Sequence, residues 1–339
     1  MHSFWITAIA VMGLTVTPQW ERNLDEVEVY RARALAVAED GTVAIIDRDQ
    51  GQIVLLDDQG QLVKRIDANG QGPGELESPV EISYSPEDQT FAVLDFVNAR
   101  LSKWHKSGDF AAEFAMPNTF FRPGFKDATT VYLARSPFGR HGETPTLMTL
   151  NLKTNRQNTI WEAHPESPTV FSRIGNHSSS GEMVWRWNPS LLYGIGTDFL
   201  AVAFGSDHSF HILDFEGNRI GKPIAVDLPV FPVTDDQIEE GMDLMPANMH
   251  RDLRAGLVKP GGWPVIRNLL VDGRNRIWVI GASAEVTSAH PFKVFDKQGN
   301  VLGTGEIEKI PLALNSDALY YFKGDKDLYL VKARIKQPS

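Results

Sequence analysis

The sequence predicts an all-β protein, a six-bladed β-propeller with a short helical insertion. Three observations predict this fold. The 339 residues include 42% hydrophobic residues, which is enough to fill a core. Short β-branched and aromatic segments such as TVAIID and RIWVI are separated by Gly, Asp and Asn, as in all-β folds. A unit of strand, loop, strand, turn and strand recurs along the chain, which indicates a repeat architecture.

The repeat is clearest between residues 39–66 and 87–114, which align without a gap. In this alignment Asp47 matches Asp95, and the glycine at position 60 matches the glycine at position 108. Glycine at these turns supplies the positive φ that a tight hairpin needs. Each unit is therefore predicted to form three consecutive antiparallel strands.

Weaker copies of the unit bring the number of predicted blades to six. They lie at 130–160, 199–224, 276–303 and 318–335. The last copy has only two strands, whereas residues 24–30 (LDEVEVY) form a predicted strand with no partner nearby. Pairing 24–30 with the blade formed by 311–335 would close the ring and leave no exposed sheet edge. The competing arrangement, a sandwich plus a second domain, does not explain the repeat.

The N-terminal segment has the character of a signal peptide. Phe4–Val16 is an apolar run of h-region length, and it is shorter than the roughly 20 residues that a bilayer-spanning helix needs. Met1–Ser3 contains no Lys or Arg, so a buried first strand or an unstructured leader is the alternative. We interpret residues 1–20 as the leader and 21–339 as one propeller domain. The predicted location is secreted or periplasmic, with no membrane span.

Residues 68–110 carry a more specific motif. A G-x-G-x-G-x-[FL]-x-x-P entry precedes a V-x-D-x-x-N-x-R-[IL] core. This pattern resembles an NHL repeat, and its GQGPGEL form is similar to bacterial six-bladed β-propellers that are mostly uncharacterised. The matching residues are Gly70, Gly72, Gly74, Leu76, Pro79, Asp95, Asn98, Arg100 and Leu101. The resemblance is strong over about residues 35–115, and it implies the architecture rather than a site.

The longest connections predict where a site would lie. In a blade with strands A to D, counted outward from the axis, the B–C loop and the D-to-A connection open on the same face. Residues 135–145 and 281–291 are long B–C loops, and 161–189 and 227–264 are long D-to-A connections. Loops beyond ~12–15 residues are usually functional or disordered. We therefore expect walls around a central funnel on this face.

The connection 227–264 has helical character, and we predict a helical flap at about 234–256. Thr234 and Gln237 have capping-box spacing. Ile238, Met242 and Met245 then follow at helical intervals. A methionine-bearing face could adapt to an apolar ligand, but packing of the flap onto the propeller is the favoured interpretation.

The sequence contains no catalytic motif, and we assign no catalytic residue. The GQGPG segment resembles a phosphate loop, but Pro73 removes an amide donor and no helix follows. Asp47 and Asp95 could bind Ca²⁺ through oxygen, although a role in bonding loop amides is favoured. Several histidines lie in the long loops, where they could bind Zn²⁺. No cofactor is assigned; Ca²⁺ or Zn²⁺ stays open, and the metal ligands are unknown.

Basic and aromatic residues gather in the same loops. The guanidinium group of arginine can form two parallel hydrogen bonds with a carboxylate, and the flat ring of tryptophan can pack against sugars or apolar groups. The alternative is that the arginines are solvated and the tryptophans, Trp263 among them, pack between blades. The candidate binding residues are Arg135, Arg140, His141, Arg186, Trp187 and His290.

These observations predict an exported binding or interaction module. Its partner would be a small molecule, peptide or protein at the funnel face. The net charge of −10 argues against nucleic acid as a partner. The alternative is a metal-dependent hydrolase or lyase, because the resemblance extends to lactonase-type propellers and to peptide-amidating lyases, which use a His-bound zinc.

Overall fold

Six antiparallel sheets of four strands each form the protein, which confirms the predicted six-bladed β-propeller. The computed structural model describes residues 13–116, 120–135, 144–163, 172–173, 182–183, 190–243, 250, 262–283, 289–324 and 327–336. In every blade the strands follow one another from the axis outward, with one exception in the last blade.

The first three blades are consecutive in the sequence. Blade 1 contains Ala32–Val37, Val43–Asp47, Gln52–Leu56 and Leu62–Asp67. Blade 2 contains Pro79–Ser85, Thr90–Asp95, Arg100–His105 and Phe110–Ala115. Blade 3 contains Phe120–Phe125, Thr130–Arg135, Thr146–Asn151 and Gln157–Glu162. The predicted units thus correspond to strands B, C and D, and each is preceded by an innermost strand A.

The other three blades follow longer connections. Blade 4 contains Leu191–Ile195, Leu200–Phe204, Ser209–Leu213 and Ile224–Ala225. Blade 5 contains Ile266–Val271, Ile277–Gly281, His290–Phe295 and Val301–Ile307. Blade 6 contains Ala313–Leu314, Ala318–Lys323, Tyr329–Lys336 and, as its outer strand, Thr15–Asn23. A short hairpin, Ser172–Arg173 with Glu182–Met183, lies between blades 3 and 4 in the sequence.

The hydrophobic core lies between blades rather than at the axis. Every residue of Val43–Asp47 and Gln52–Leu56 is buried, because both faces of these strands pack against other chain segments. One cluster joins Ile46 and Ile53 of blade 1 to Trp104 of blade 2. Strand D faces solvent more, as in Leu62–Asp67, where no residue is fully buried. This explains why strands B and C carry the continuous apolar runs.

The C–D turns of blades 1, 4 and 5 share one hydrogen-bonding pattern. Asp57 Oδ1 accepts hydrogen bonds from the amides of Gln59 and Gln61, and Gly60 has a φ of 73°. Blades 4 and 5 repeat this pattern with Asp214 and Asp296. The carboxylate satisfies the turn amides, and glycine takes the left-handed conformation that the hairpin requires. The predicted tight turns are confirmed.

The ring closes as predicted, but with a different segment. Thr15–Asn23 pairs antiparallel with Tyr329–Lys336, so the assignment of 24–30 as the outer strand is wrong. Asp25–Val27 is a 3₁₀ turn, and the apolar side chains on either side of it point into the core between blades 6 and 1. The alternating pattern of 24–30 reflects this burial. In the outer strand, Pro18 lies at a β-bulge, a position that proline tolerates because an outer strand has a free edge.

This closure places part of the predicted leader within the folded region. Residues 15–20 of the 1–20 leader belong to the outer strand, and Trp20 Nε1 donates to the carbonyl oxygen of Asp58 in blade 1. The amide of Leu14, a buried residue, donates to Thr304 O in blade 5. Removal of a leader would therefore leave the ring intact only if the chain were cut before this strand. The signal peptide itself stays a prediction.

The α-helix Asp235–Asp243 lies in the predicted flap. Thr234 Oγ1 accepts a hydrogen bond from the Gln237 amide, and Gln237 Oε1 accepts one from the Thr234 amide, which confirms the capping box. Ile238 and Met242 are buried, so packing of this face is confirmed for them. Except for His250, residues 244–256 lie outside the described residues. No helix in the described ranges is long and apolar enough to cross a membrane.

Candidate functional site

The four long connections begin and end on one face of the ring, which we call the long-loop face. The segment 135–145 joins strands B and C of blade 3, and 281–291 joins the same strands of blade 5. The segments 161–189 and 227–264 lead from strand D of one blade to strand A of the next. Because strands alternate in direction within each blade, all eight ends of these segments lie at the same end of the ring.

Two of the six predicted binding residues lie within the described ranges. Arg135 is half-buried at the end of strand B in blade 3, where it pairs with Phe120 and Thr146. His290 is half-buried at the start of strand C in blade 5, and its Nδ1 lies 3.1 Å from Gly281 O. Both are at the long-loop face. The other four, Arg140, His141, Arg186 and Trp187, lie outside the described residues.

Burial lowers the pKa of His290, and the positive charges of Arg267 and Lys309 act in the same direction, outweighing the contact with Gly281 O. The histidine is therefore held toward its neutral form beside cationic neighbours. Arg267 lies 5.3 Å from the ring centroid of Trp263, whose Nε1 donates to Gln237 Oε1 at 3.1 Å. Trp263 thus connects the helix to the innermost strand of blade 5, which is consistent with packing of the flap onto the propeller.

Asp47 and Asp95 bond backbone amides, as the favoured interpretation predicted. Both carboxylates are fully buried. Asp47 Oδ2 accepts from the amides of Tyr30 and Arg31, and its Oδ1 accepts from the amides of Asp49 and Gln50. These amides belong to the segment entering the blade and to its B–C loop. The aspartate therefore joins two loops, and its oxygens are occupied by donors.

The NHL-like motif residues form the equivalent scaffold in blade 2. Asp95 accepts from the amides of Glu77 and Ser78 and from Asn98 Nδ2. Arg100 Nη2 donates to the carbonyl oxygens of Gly72 and Glu75, which belong to the glycine-rich segment. The GQGPG segment is thus a loop held through its carbonyls, consistent with the argument against a phosphate loop.

A group of polar side chains near the ring axis was not predicted from sequence. They come from the innermost strands of five blades, and we call them the axial cluster. Its members are Arg33, Glu81, Arg122, Tyr193 and Asn268. Arg122 Nη1 donates to Asn268 Oδ1 at 3.4 Å, which joins blade 3 to blade 5. Blade 4 lies between those blades in the ring, so this contact passes along the inner side of blade 4.

The axial cluster lies toward the long-loop face. Glu81 pairs with Leu94, one residue from the end of strand B at Asp95. Asn268 pairs with Ile280, one residue from the end of the corresponding strand in blade 5. Strand B ends at the long-loop face in every blade. Glu81 and Asn268 are therefore about one residue below the level from which the loops extend.

Arg122 has an unusual backbone conformation. Its φ of 53° is left-handed, and the register of the two inner strands of blade 3 shifts between Phe121 and Gly124. A non-glycine residue in this conformation costs of order 1–3 kcal/mol, and it persists only where its surroundings hold it. The buried hydroxyl of Tyr193 contacts the carbonyl oxygen of Arg122 and, at 2.9 Å, that of Tyr132. Burial raises the pKa of Tyr193, so the hydroxyl stays protonated.

Glu81 is the only carboxylate of the axial cluster. Burial raises its pKa, and the positive charges of Arg122 and Arg33 oppose that rise without cancelling it. The two arginines come from the blades on either side, and both are close enough to act on its charge. Glu81 makes no hydrogen bond or ion pair with the part of the chain that the structure describes. The residue is only partly buried, so its carboxyl group stays accessible beside two positive charges that do not neutralise it.

Strand register explains why sequence analysis missed these residues. Inner strands shift register at Ala32/Ala34, at Pro79/Glu81 and at Ile266/Asn268. Such bulges change the direction in which side chains point, and no local sequence motif identifies them. The available signal was weaker: the innermost strands of blades 1, 2, 3 and 5 are largely apolar but contain one or two long polar residues.

Two surface depressions in the described part of the chain lie away from the axial cluster. A shallow polar depression of about 430 Å³ and an apolar one of about 280 Å³ lie among the A–B and C–D turns, on the face opposite the long loops. No three His, Cys, Asp or Glu side chains within the described ranges are grouped so as to hold a metal ion.

Comparisons with known proteins agree with this class of fold, the six-bladed β-propeller. A family model described as a six-bladed β-propeller, DUF5128, matches residues 24–132. No curated protein matches the chain. A DUF4221 family member from Bacteroides vulgatus has a similar structure, with 13% identity, a TM-score of 0.57, and coverage of 96% of this chain and 99% of that one.

Two further solved structures extend the comparison. One is a Bacteroides fragilis protein named as exported, with 10% identity, a TM-score of 0.53, and coverage of 98% of this chain and 97% of that one. The other is a streptogramin B lyase, with 10% identity, a TM-score of 0.52, and coverage of 95% and 98% respectively. At these identities the likeness shows the fold alone. The chain is thus a six-bladed β-propeller, and the resemblance to NHL repeats pointed to that architecture.

Proposed function

We propose that this propeller is an exported binding module whose ligand or partner occupies the long-loop face. One observation carries the proposal: all four long connections extend from the end of the ring toward which the axial cluster lies. Ligand sites in propellers and barrels form where a channel opens between variable loops on a rigid scaffold. Arg135 and His290 lie at the base of those loops and would form part of the walls.

Export is part of this proposal. It is supported by the apolar run Phe4–Val16 and by the likeness to a Bacteroides protein named as exported. The outer strand sets a condition, because cleavage after Thr15 would remove part of the closing strand. Cell fractionation followed by N-terminal sequencing of the mature protein tests both points. A mature protein that begins within the outer strand, or one retained in the cytoplasm, would overturn this part.

The metal-dependent hydrolase or lyase remains the alternative. Its support is the fold shared with the streptogramin B lyase, which acts on a substrate that nothing connects to this chain. Elemental analysis of the purified protein discriminates between the two classes. A stoichiometric bound metal would favour the enzyme, and its absence would favour the binding module.

Ligand stabilisation tests the binding proposal directly. We suggest a thermal-shift screen with small organic acids, sugars and short peptides on the wild-type protein and on a variant with 282–289 replaced by the short B–C loop of blade 2. A ligand that binds the folded state raises its stability in proportion to RT ln(1 + [L]/Kd). Shifts that are lost in the variant support the proposal. Equal shifts in both proteins would place the ligand elsewhere.

A further inference from the structure

The axial cluster contains two features that are unfavourable for folding and that lie side by side. Glu81 is a partly buried carboxylate that forms no hydrogen bond or ion pair with the described residues, and desolvation that raises its pKa makes its charge unfavourable. Arg122 has a strained left-handed backbone. Stability alone would favour an apolar residue at the first position and glycine at the second. Such costs are typical of functional sites, where the arrangement serves a ligand.

The surroundings hold Arg122 in place. The Tyr193 hydroxyl contacts its carbonyl oxygen, and the guanidinium donates to Asn268 Oδ1. Asn268 is fixed in turn, because its Nδ2 donates to Pro311 O at 2.8 Å. Residues of blades 4 and 5 thus determine where an arginine of blade 3 points. This support orients the guanidinium within the channel before any ligand arrives, which lowers the entropic cost of binding.

The charges define the kind of ligand. Arg33 and Arg122 provide two guanidinium groups, which match the geometry of a carboxylate and keep their charge at any physiological pH. Glu81 lies between them in the ring and, when ionised, can only accept hydrogen bonds. Neither arginine is within 4.0 Å of the Glu81 carboxylate, since no such ion pair is formed. A ligand group between them would contact both kinds of partner.

We infer that the axial cluster binds a small organic acid that carries a hydroxyl or amino group close to its carboxylate. The ligand carboxylate pairs with Arg33 and Arg122, and the hydroxyl or amino group donates to Glu81. This deepens the proposed function and rests on it, because the ligand enters from the long-loop face. A neutral sugar would leave both arginines unpaired, and an inorganic anion would leave Glu81 without a donor.

Two dicarboxylates that differ by one hydroxyl group test the inference. Isothermal titration calorimetry is carried out with L-malate and succinate on the wild-type protein. We expect saturable binding of malate that is about tenfold tighter than that of succinate, since one hydrogen bond to a charged group has roughly that value. In Glu81→Gln the preference for malate should shrink to less than about threefold. Equal affinities in the wild type, or an unchanged preference in Glu81→Gln, would overturn the role of Glu81.

The arginines are tested with the same ligands. Arg33→Met and Arg122→Met should each weaken malate binding at least about tenfold. Lys106→Met is the control, because Lys106 forms a surface ion pair with Asp40 on the opposite face and should leave binding unchanged. If Arg122→Met does not fold, Arg33→Met decides alone, since the side chain of Arg33 forms no hydrogen bond with the described residues that its loss would break. Inorganic phosphate that binds as tightly as malate would indicate an unspecific anion site and overturn the inference.

The loop-shortened variant separates this inference from the proposed function. If ligands from the screen bind the long-loop face while Arg33→Met and Arg122→Met have no effect on them, the binding module stands and the axial site is wrong. If malate binding needs the axial residues but is indifferent to the loop, the axial site stands and the long-loop face is wrong. Absence of malate binding to the wild type overturns the axial assignment.

Discussion

Arg122 in blade 3 donates a hydrogen bond of 3.4 Å to Asn268 in blade 5, past the inner side of blade 4. Neither residue belongs to a recognisable motif, and 146 positions separate them in the sequence. The contact exists because the ring brings innermost strands together and because a bulge in blade 3 re-aims the arginine. The position of this guanidinium therefore depends on closure of the whole ring, which makes it sensitive to changes in remote residues.

The first prediction concerns the support of Arg122. Tyr193→Phe removes the hydroxyl that contacts the carbonyl oxygens of Arg122 and Tyr132. We expect the free energy of unfolding to fall by about 1–3 kcal/mol, because at least one buried carbonyl loses its donor. Urea denaturation measures the difference. Tyr321→Phe is the matched control, since that tyrosine is also buried but its hydroxyl forms no hydrogen bond with the described residues. A loss no larger than the control's would contradict the supporting role.

The second prediction concerns the loop-joining aspartates. Asp95→Asn leaves one acceptor oxygen where the carboxylate now serves the amides of Glu77, Ser78 and Asn98. We expect a loss of about 1.5–3 kcal/mol, the value of a hydrogen bond to a charged group. Asp49→Asn is the control, because its ion pair with Arg31 is exposed and should contribute at most about 1 kcal/mol. Equal melting midpoints for the two variants would show that Asp95 is not a structural residue.

Part of this architecture could be predicted from the sequence and part could not. The turns at Gly60 and Gly108 were predictable, because a positive φ selects glycine locally. The loop-bonding role of Asp95 was also predictable, from its place at the end of a strand. The axial cluster depends on bulges and on contacts between distant blades, which no local pattern encodes. The prediction of 24–30 as the closing strand was wrong for a related reason. Val27 and Val29 are buried against two blades, and their alternation with polar residues resembles the pattern of a strand.

The third prediction follows from the corrected closure. A chain that begins at residue 13 keeps the whole outer strand Thr15–Asn23, whereas a chain that begins at residue 24 leaves Tyr329–Lys336 as a bare edge. The shorter chain should melt at a markedly lower temperature and form dimers or aggregates through that edge. Thermal unfolding and size-exclusion chromatography of the two proteins provide the comparison. If they melt alike and both stay monomeric, the strand does not close the ring.

The last prediction concerns the pH dependence of stability. Burial raises the pKa of Glu81, so between the ordinary carboxyl pKa and the raised value the folded state binds a proton that the unfolded state has lost. The unfolding free energy must therefore fall as the pH rises through that window, because stability declines wherever the folded state binds more protons. Glu81→Gln cannot ionise and should lose this slope.

The comparison is made by urea denaturation at several pH values from about 4 to about 8, a range that brackets a raised carboxyl pKa. We expect Glu81→Gln to be more stable than the wild type at neutral pH and the difference to shrink toward acidic pH, where Glu81 is protonated. Glu77→Gln, a substitution of an exposed glutamate, controls for the general effect of removing one negative charge. If Glu81→Gln and Glu77→Gln shift the profile equally, Glu81 is paired in solution. In that case the ionised carboxylate does not lower the free energy of unfolding. The main reason to regard Glu81 as a ligand-binding group would then be lost.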